Sequence, residues 1–175
     1  MRVLEQLPNR PKLVVLDTMN LWMDAALEDL KKVLTKVDVL TINDEEARQL
    51  SGEHNLVQAA KKIQGMGPKT LIIKKGEHGA LLFGADGNIF FAPALPLAEV
   101  LDPTGAGDTF AGGFMGYLAQ TDDISFDNMK RALMYAATMA SFCVEKFGPE
   151  RLEHISAEEM AARRAQFTQL SHVQA

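Results

Sequence analysis

The 175-residue chain predicts an α/β fold, a mostly parallel sheet flanked by helices with one antiparallel hairpin. Three observations predict it. Short aliphatic runs alternate with segments whose apolar residues recur every three or four positions, the pattern of successive strand–helix units. A turn signal, Ala85-Asp86-Gly87-Asn88, sends two such runs back along one another. A glycine turn, Gly105-Ala106-Gly107, joins an apolar run to another helical pattern.

In chain order, Lys12–Leu16 reads as a buried strand that ends at Asp17. Leu21–Val37 carries Ala26, Leu27, Leu30, Val33 and Leu34 at helical spacing and predicts one amphipathic helix, with Trp22 in the core or a pocket wall, core being favoured. Val37–Ile42 is the next strand. Two short helices follow, Asn43–Leu50 and Leu56–Ile63, the first with Asn43 and Glu46 at capping-box spacing. Thr70–Lys74 is a strand, Gly76-Glu77-His78-Gly79 a turn, and Ala80–Phe83 with Ile89–Ala92 the hairpin. A strand over Leu95–Leu101 then leads into the glycine turn and a Thr109–Ala119 helix. Phe126–Phe147 reads as a largely buried helix, and Ser156 caps a last one running to about Phe167 before a fraying tail.

With 47% hydrophobic residues, the chain can bury one substantial core, so residues 1–175 predict a single α/β domain. A net charge of −5 and no dense basic run argue against a nucleic-acid partner. No segment has the length of a signal peptide's apolar core or of a membrane span, which implies no membrane association and a cytoplasmic protein. The single cysteine, Cys143, suits a reducing compartment and reads as a small buried hydrophobe. His54, His78, His154 and His172 are too scattered to suggest a metal site and read as solvated surface residues.

The chemistry points to phosphate. If Gly105–Gly107 turn the chain into a helix, their N–H groups lack carbonyl partners and face outward at the positive end of the helix dipole. Asp108 places a carboxylate beside them. The turn is not a Walker A loop, because no Lys-Ser or Lys-Thr follows it, nor a dinucleotide fingerprint, because Phe110 stands at the third glycine position. It also reads as a plain helix start, with Asp108 no more than a dipole partner. Ligands of parallel sheets bind beyond the strand carboxyl ends, so Asp17, Asn43, Lys74 and Asp102 are expected along one rim. Asn43 and Glu46 read either as a capping box or as oxygen groups organising Mg²⁺ and its waters. Lys74 through Gly79 reads as a bare turn or as backbone approaching a nucleotide.

Asp102-Pro103-Thr104-Gly105-Ala106-Gly107-Asp108-Thr109-Phe110 resembles the C-terminal signature of the ribokinase-like (PfkB) carbohydrate and nucleoside kinases. Asn43-Asp44-Glu45-Glu46 resembles that family's Asn-x-x-Glu motif, and Lys74-Lys75-Gly76-Glu77-His78-Gly79-Ala80 its nucleotide-binding strand and turn. The resemblance implies transfer of the ATP γ-phosphate to a hydroxyl of a sugar or nucleoside. It implies Asp108 as general base, the N–H groups of Gly105, Ala106 and Gly107 as anion hole, Asn43 and Glu46 acting on Mg²⁺ through water, and Lys74, Gly76, Gly79 and Thr104 bordering the nucleotide. Asp102 and Thr104 match a monovalent-cation loop, which implies K⁺, although Lys146-Phe147-Gly148-Pro149-Glu150 departs from that site's usual small residues. Family members are longer. The chain therefore resembles their C-terminal, nucleotide-binding and catalytic half, with the N-terminal part of the fold and the lid absent and an exposed sheet edge on which copies associate. The alternative expectation is a catalytically incompetent nucleotide-binding or assembly module. A vitamin kinase of the same superfamily is a third.

Overall fold

The computed structural model describes residues 2–171, so His172 and the rest of the tail lie outside the described residues. The described residues fall into two compact units. The first comprises Met1–Lys74 and Leu82–Ile89, the second Lys75–Leu81 and Phe90–Ala175.

The chain opens with a short helix α1 (Arg2–Glu5), then strand β1 (Val15–Asp17), helices α2 (Asn20–Ala25) and α3 (Leu27–Leu34), strand β2 (Val39–Asn43), helices α4 (Asp44–Ser51) and α5 (Leu56–Gln64), and strand β3 (Thr70–Lys74). β1 pairs with β2 and β2 with β3, both parallel, in the registers Val15↔Val39 and Val39↔Thr70. Val39, Leu40, Ile42, Leu71, Ile72 and Ile73 are fully buried, as expected of strands covered on both faces. A 3₁₀ turn over Gly76–His78 leads to β4 (Ala80–Phe83) and β5 (Ile89–Ala92). The sheet order is β1-β2-β3-β4-β5. Links this short, 75–79 and 84–88, allow only antiparallel pairing of β4 with its neighbours.

In the second unit, α6 (Ala106–Thr121) packs on α7 (Phe126–Cys143), followed by a 3₁₀ turn over Leu152–His154 and by α8 (Ala157–Ser171). Phe114, Leu118, Leu133, Ala136 and Phe142 form this core. A Cβ on Gly113 would stand 3.1 Å from the Ala136 Cα and 3.2 Å from the Met139 Cγ, so the two helices approach closely there and a side chain would require them to give by a few tenths of an ångström. Cys143 is buried, as expected. His54, His78 and His154 are exposed. Among the described residues no helix is long and apolar enough to cross a membrane.

Four expectations change. The Leu21–Val37 helix is two helices, broken at Ala26, whose extended φ of −148° ends one and begins the next. Trp22 is not core but 49% exposed, because the short α2 buries only Met23. Leu95–Leu101 is not a strand: Pro96 lacks the N–H a ladder needs, and the Leu101 N–H is spent on the Val144 carbonyl at 2.8 Å. Asp102 therefore follows an irregular segment rather than a strand end. The α7 helix stops at Cys143, and Phe147 lies exposed beyond it.

Gly79 has a left-handed φ of +85°, and a Cβ there would overlap the Ala92 carbonyl oxygen. Both faults act on the folded state, so Gly79→Ala is expected to cost at least about 1–3 kcal/mol. Thermal unfolding followed by circular dichroism reads this as a melting temperature lowered by several degrees; an unchanged melting temperature would contradict it.

Candidate functional site

In the first unit, parallel pairing brings the last residues of β1, β2 and β3 to one end of the sheet. Asn43 is registered against Lys74, and Asp17 against Thr41. Lys74 donates to both carboxylate oxygens of Asp17, Nζ to Oδ1 2.9 Å and to Oδ2 3.0 Å, and the Thr41 hydroxyl donates to the same carboxylate at 2.6 Å. The pair is mostly shielded from water, where an ion pair is screened less than at the surface. The Thr18 hydroxyl oxygen, next in sequence to Asp17, is buried with no hydrogen-bond partner among the described residues.

Asn43 is the N-cap of α4. Its Oδ1 accepts from the Glu46 N–H at 2.8 Å, and Glu46 Oε2 accepts from the Asn43 N–H at 3.1 Å, so the capping box is formed. Glu46 is 8% exposed. Burial raises its pKa above the ordinary value, opposed by the Asn43 N–H and by the charge of Lys74. The second carboxylate oxygen of Glu46 and the remaining lone pairs of Asn43 are oxygen donors suited to the water shell of Mg²⁺. Among the described residues no three acidic, histidine or cysteine groups converge as a metal-binding cluster, so the donor set fits an ion held through water rather than a dedicated cage.

In the second unit, Gly105 is the N-cap of α6 with a left-handed φ of +79°, a conformation glycine adopts without strain. The helix begins at Ala106, three residues earlier than the periodicity indicates, which puts Asp108 at its third position. The Ala106 N–H donates to the Pro103 carbonyl at 3.2 Å, whereas the N–H groups of Gly105, Gly107 and Asp108 have no acceptor among the described residues. No side chain caps this end, and Asp108 is exposed. Ahead of the turn, Asp102 Oδ1 accepts from the Thr104 N–H at 2.9 Å. That amide, with the Thr104 hydroxyl and the Gly148 N–H, holds the Asp102 carboxyl below its ordinary range. Gly76 is exposed at φ +55° with open space where a side chain would be, while Gly79 is accounted for by its close approach to Ala92.

The structure thus brings Asn43, Glu46 and Lys74 together with Asp17 in one unit and sets Asp102, Thr104 and Gly105 to Asp108 along one continuous stretch of the other. Sequence reasoning placed Asp17 at a strand end but not its pairing with Lys74. The signal was present as opposite charges closing two strands of one parallel sheet. A cluster of Glu145, Arg151, Glu159 and Arg163 went unseen, since its members share no spacing motif.

A mixed sheet flanked by helices, with polar groups at the carboxyl end of its three parallel strands, and, in the second unit, a helix whose first amides are unspent define the class as an α/β protein. The chain belongs to the pfkB family of carbohydrate kinases, whose family model matches residues 2–155. It is 40% identical over 91 residues to the cytidine kinase of Thermococcus kodakarensis, covering 50% of this chain and 32% of that protein. Among solved structures, it matches Arabidopsis thaliana ribokinase complexed with ribose and ATP at 28% identity and TM-score 0.64, covering 77% of this chain and 43% of that one. It matches Salmonella enterica aminoimidazole riboside kinase, complexed with aminoimidazole riboside and an ATP analogue, at 27% identity and TM-score 0.68, covering 91% and 52%. The ribokinase-like fold is therefore established. The chain spans about a third of the length of the curated relatives and about half that of the solved structures.

The raised pKa of Glu46 has a consequence for stability. The folded state holds this proton more tightly than the unfolded chain, so protonation stabilises fully below the ordinary value of 4.5 and its contribution is lost as pH rises through the higher folded value. Glu46→Gln, neutral throughout and still able to accept the Asn43 N–H, should gain stability relative to the parent as pH increases above 4.5. Urea unfolding at a series of pH values measures the difference; parallel stability curves would contradict the assignment.

Proposed function

We propose that this chain is the nucleotide-binding and catalytic part of an ATP-dependent kinase that phosphorylates a hydroxyl of a sugar or nucleoside. The observation that carries the reading is the start of α6, where a left-handed Gly105 leaves backbone N–H groups unspent beside the exposed carboxylate of Asp108. Membership of the pfkB family, and the sugar and nucleoside kinases among the relatives, support the substrate class.

In this mechanism Asp108 is the general base. It takes the proton of the acceptor hydroxyl as the bond from that oxygen to the γ-phosphorus forms and the bond to the β–γ bridging oxygen breaks, leaving ADP. Charge on the transferring group is met by the N–H groups of Gly105, Ala106 and Gly107, with Ala106 sharing or releasing its bond to Pro103. Thr104, Gly76 and Gly79 border the nucleotide. Lys74 faces phosphate once its ammonium, now on Asp17, is shared with a second anion. Asn43 and Glu46 would hold Mg²⁺ through water, and the ion when bound would neutralise charge on phosphate. Asp102, kept ionised by the Thr104 and Gly148 amides, is the candidate ligand of a K⁺ ion. A cytoplasmic setting accords with the single buried thiol. β1 closes the sheet on one side, and its outer edge is the surface through which a second copy would associate.

The test is calorimetric titration with MgATP, followed by phosphate transfer to a panel of pentoses, hexoses and nucleosides. Asp108→Asn is expected to reduce transfer by about 10²–10⁴-fold while leaving MgATP affinity largely intact. Retained turnover would contradict its role as base. Gly107→Val is expected to weaken MgATP about tenfold or more, a loss of about 1.4 kcal/mol; unchanged affinity would argue against the anion hole. Tight MgATP binding with transfer to no acceptor would favour the second reading, a nucleotide-binding module without catalysis.

A further inference from the structure

The peptide unit joining Val144 to Glu145, directly after α7, is held from three sides. Its carbonyl accepts from the Leu101 N–H at 2.8 Å and from the Asp102 N–H at 3.4 Å. Its N–H donates to the Phe142 carbonyl at 3.1 Å. The Glu145 side chain takes one guanidinium on each oxygen, Arg163 on Oε1 at 2.6 Å and Arg151 on Oε2 at 3.0 Å. Both guanidiniums also lie over the ring of the buried Phe142, at 4.0 Å and 4.9 Å from its centre, and Arg151 makes a second ion pair with Glu159 at 2.5 Å. Arg163 further donates to the Ser141 hydroxyl at 3.2 Å.

These are not the exposed ion pairs that contribute little. Arg151, Arg163 and Glu145 are each at most about a quarter exposed, and they form a network across α7, the following loop and α8. Planar forks clamped on one carboxylate and stacked on one ring allow little freedom in the backbone that carries the carboxylate. That backbone hydrogen-bonds directly to the segment entering the glycine turn, through the Val144 carbonyl. From it the order is short: the Val144 carbonyl fixes Leu101 and Asp102, Asp102 Oδ1 takes the Thr104 N–H, and Thr104 precedes the left-handed Gly105. A second tie, Cys143 Sγ to the Thr104 carbonyl at 3.8 Å, leaves the same end of α7.

We propose that Glu145, gripped by Arg151 and Arg163, is a positioning residue for the phosphate-binding turn, acting through the Val144 carbonyl on Leu101, Asp102 and Thr104. This makes α8, remote in sequence from the turn, a determinant of nucleotide affinity. The affinity effect rests on the reading of the glycine turn as a nucleotide site; the backbone effect does not.

The experiment uses the whole chain, with amide hydrogen exchange and MgATP titration on the parent, on Glu145→Ala and on Arg163→Met, and with Glu145→Gln as the milder variant should Glu145→Ala fail to fold. Exchange at the Leu101, Asp102 and Thr104 amides is expected to accelerate by about tenfold or more, with Leu40 and Ile72 in the central strands unchanged. MgATP is expected to bind the same variants about fivefold or more weakly. Acceleration spread evenly over the chain, or none at the three turn amides, overturns the proposal, as does undiminished affinity in the variants of a parent that binds MgATP. If the parent binds no nucleotide, the kinase reading fails, and the exchange pattern alone decides whether Glu145 positions the turn.

Discussion

The pairing of β2 with β3, five consecutive residues in parallel register, is the constraint on which the first unit depends. Both strands are buried at four of their five positions. A strand covered on both faces has nowhere to place a charged side chain except at its ends, because an unpaired ion inside would meet a desolvation cost far above any local gain. Asn43 and Lys74 occupy those ends for that reason, and Asp17, which ends the neighbouring β1, pairs with Lys74 there. The polar cluster follows from the apolar core that excludes it.

The second unit meets a different constraint. A helix start leaves N–H groups without partners, and most helices spend them on a side-chain cap. α4 does so with Asn43, α5 with Asn55 and α7 with Ser125. α6, like α2 and α3, does not: Gly105 offers no side chain, and Asp108 is exposed rather than folded back. With glycine rather than Asn or Ser at its N-cap, this end forgoes roughly a few tenths of a kcal/mol of stability. Groups left open at that expense are the ones a phosphate can use.

Much of this was legible in the sequence because periodicity and capping are local. The β2 and β3 strands, the Asn43–Glu46 box, the Ala80–Ala92 hairpin and the Ser156 cap, where Ser156 and Glu159 exchange hydrogen bonds, all depend on residues within a few positions of one another. What was not legible depended on distant partners. Leu95–Leu101 has the composition of a strand, yet Pro96 and the capture of the Leu101 amide by Val144 remove its ladder. Trp22 has the composition of a core residue, yet a break at Ala26 turns it outward. The Lys74–Asp17 pair joins residues 57 positions apart, and Arg163 reaches Glu145 across 18.

The two readings of Asn43 and Glu46, cap or metal organiser, do not compete. The capping box engages one oxygen of each side chain with one backbone N–H, which fixes both rotamers and aims the remaining lone pairs. In the proposed role, a group that held the ordered waters of Mg²⁺ would need that fixity, since the ion tolerates little departure from octahedral geometry. Burial of Glu46 works against its charge, and Lys74 beside it works for it. An arriving cation would act in the same direction as Lys74, drawing Glu46 toward its ionised form. The local cap would thus be the support for the proposed role, with both side chains already held by the backbone of α4's first turn.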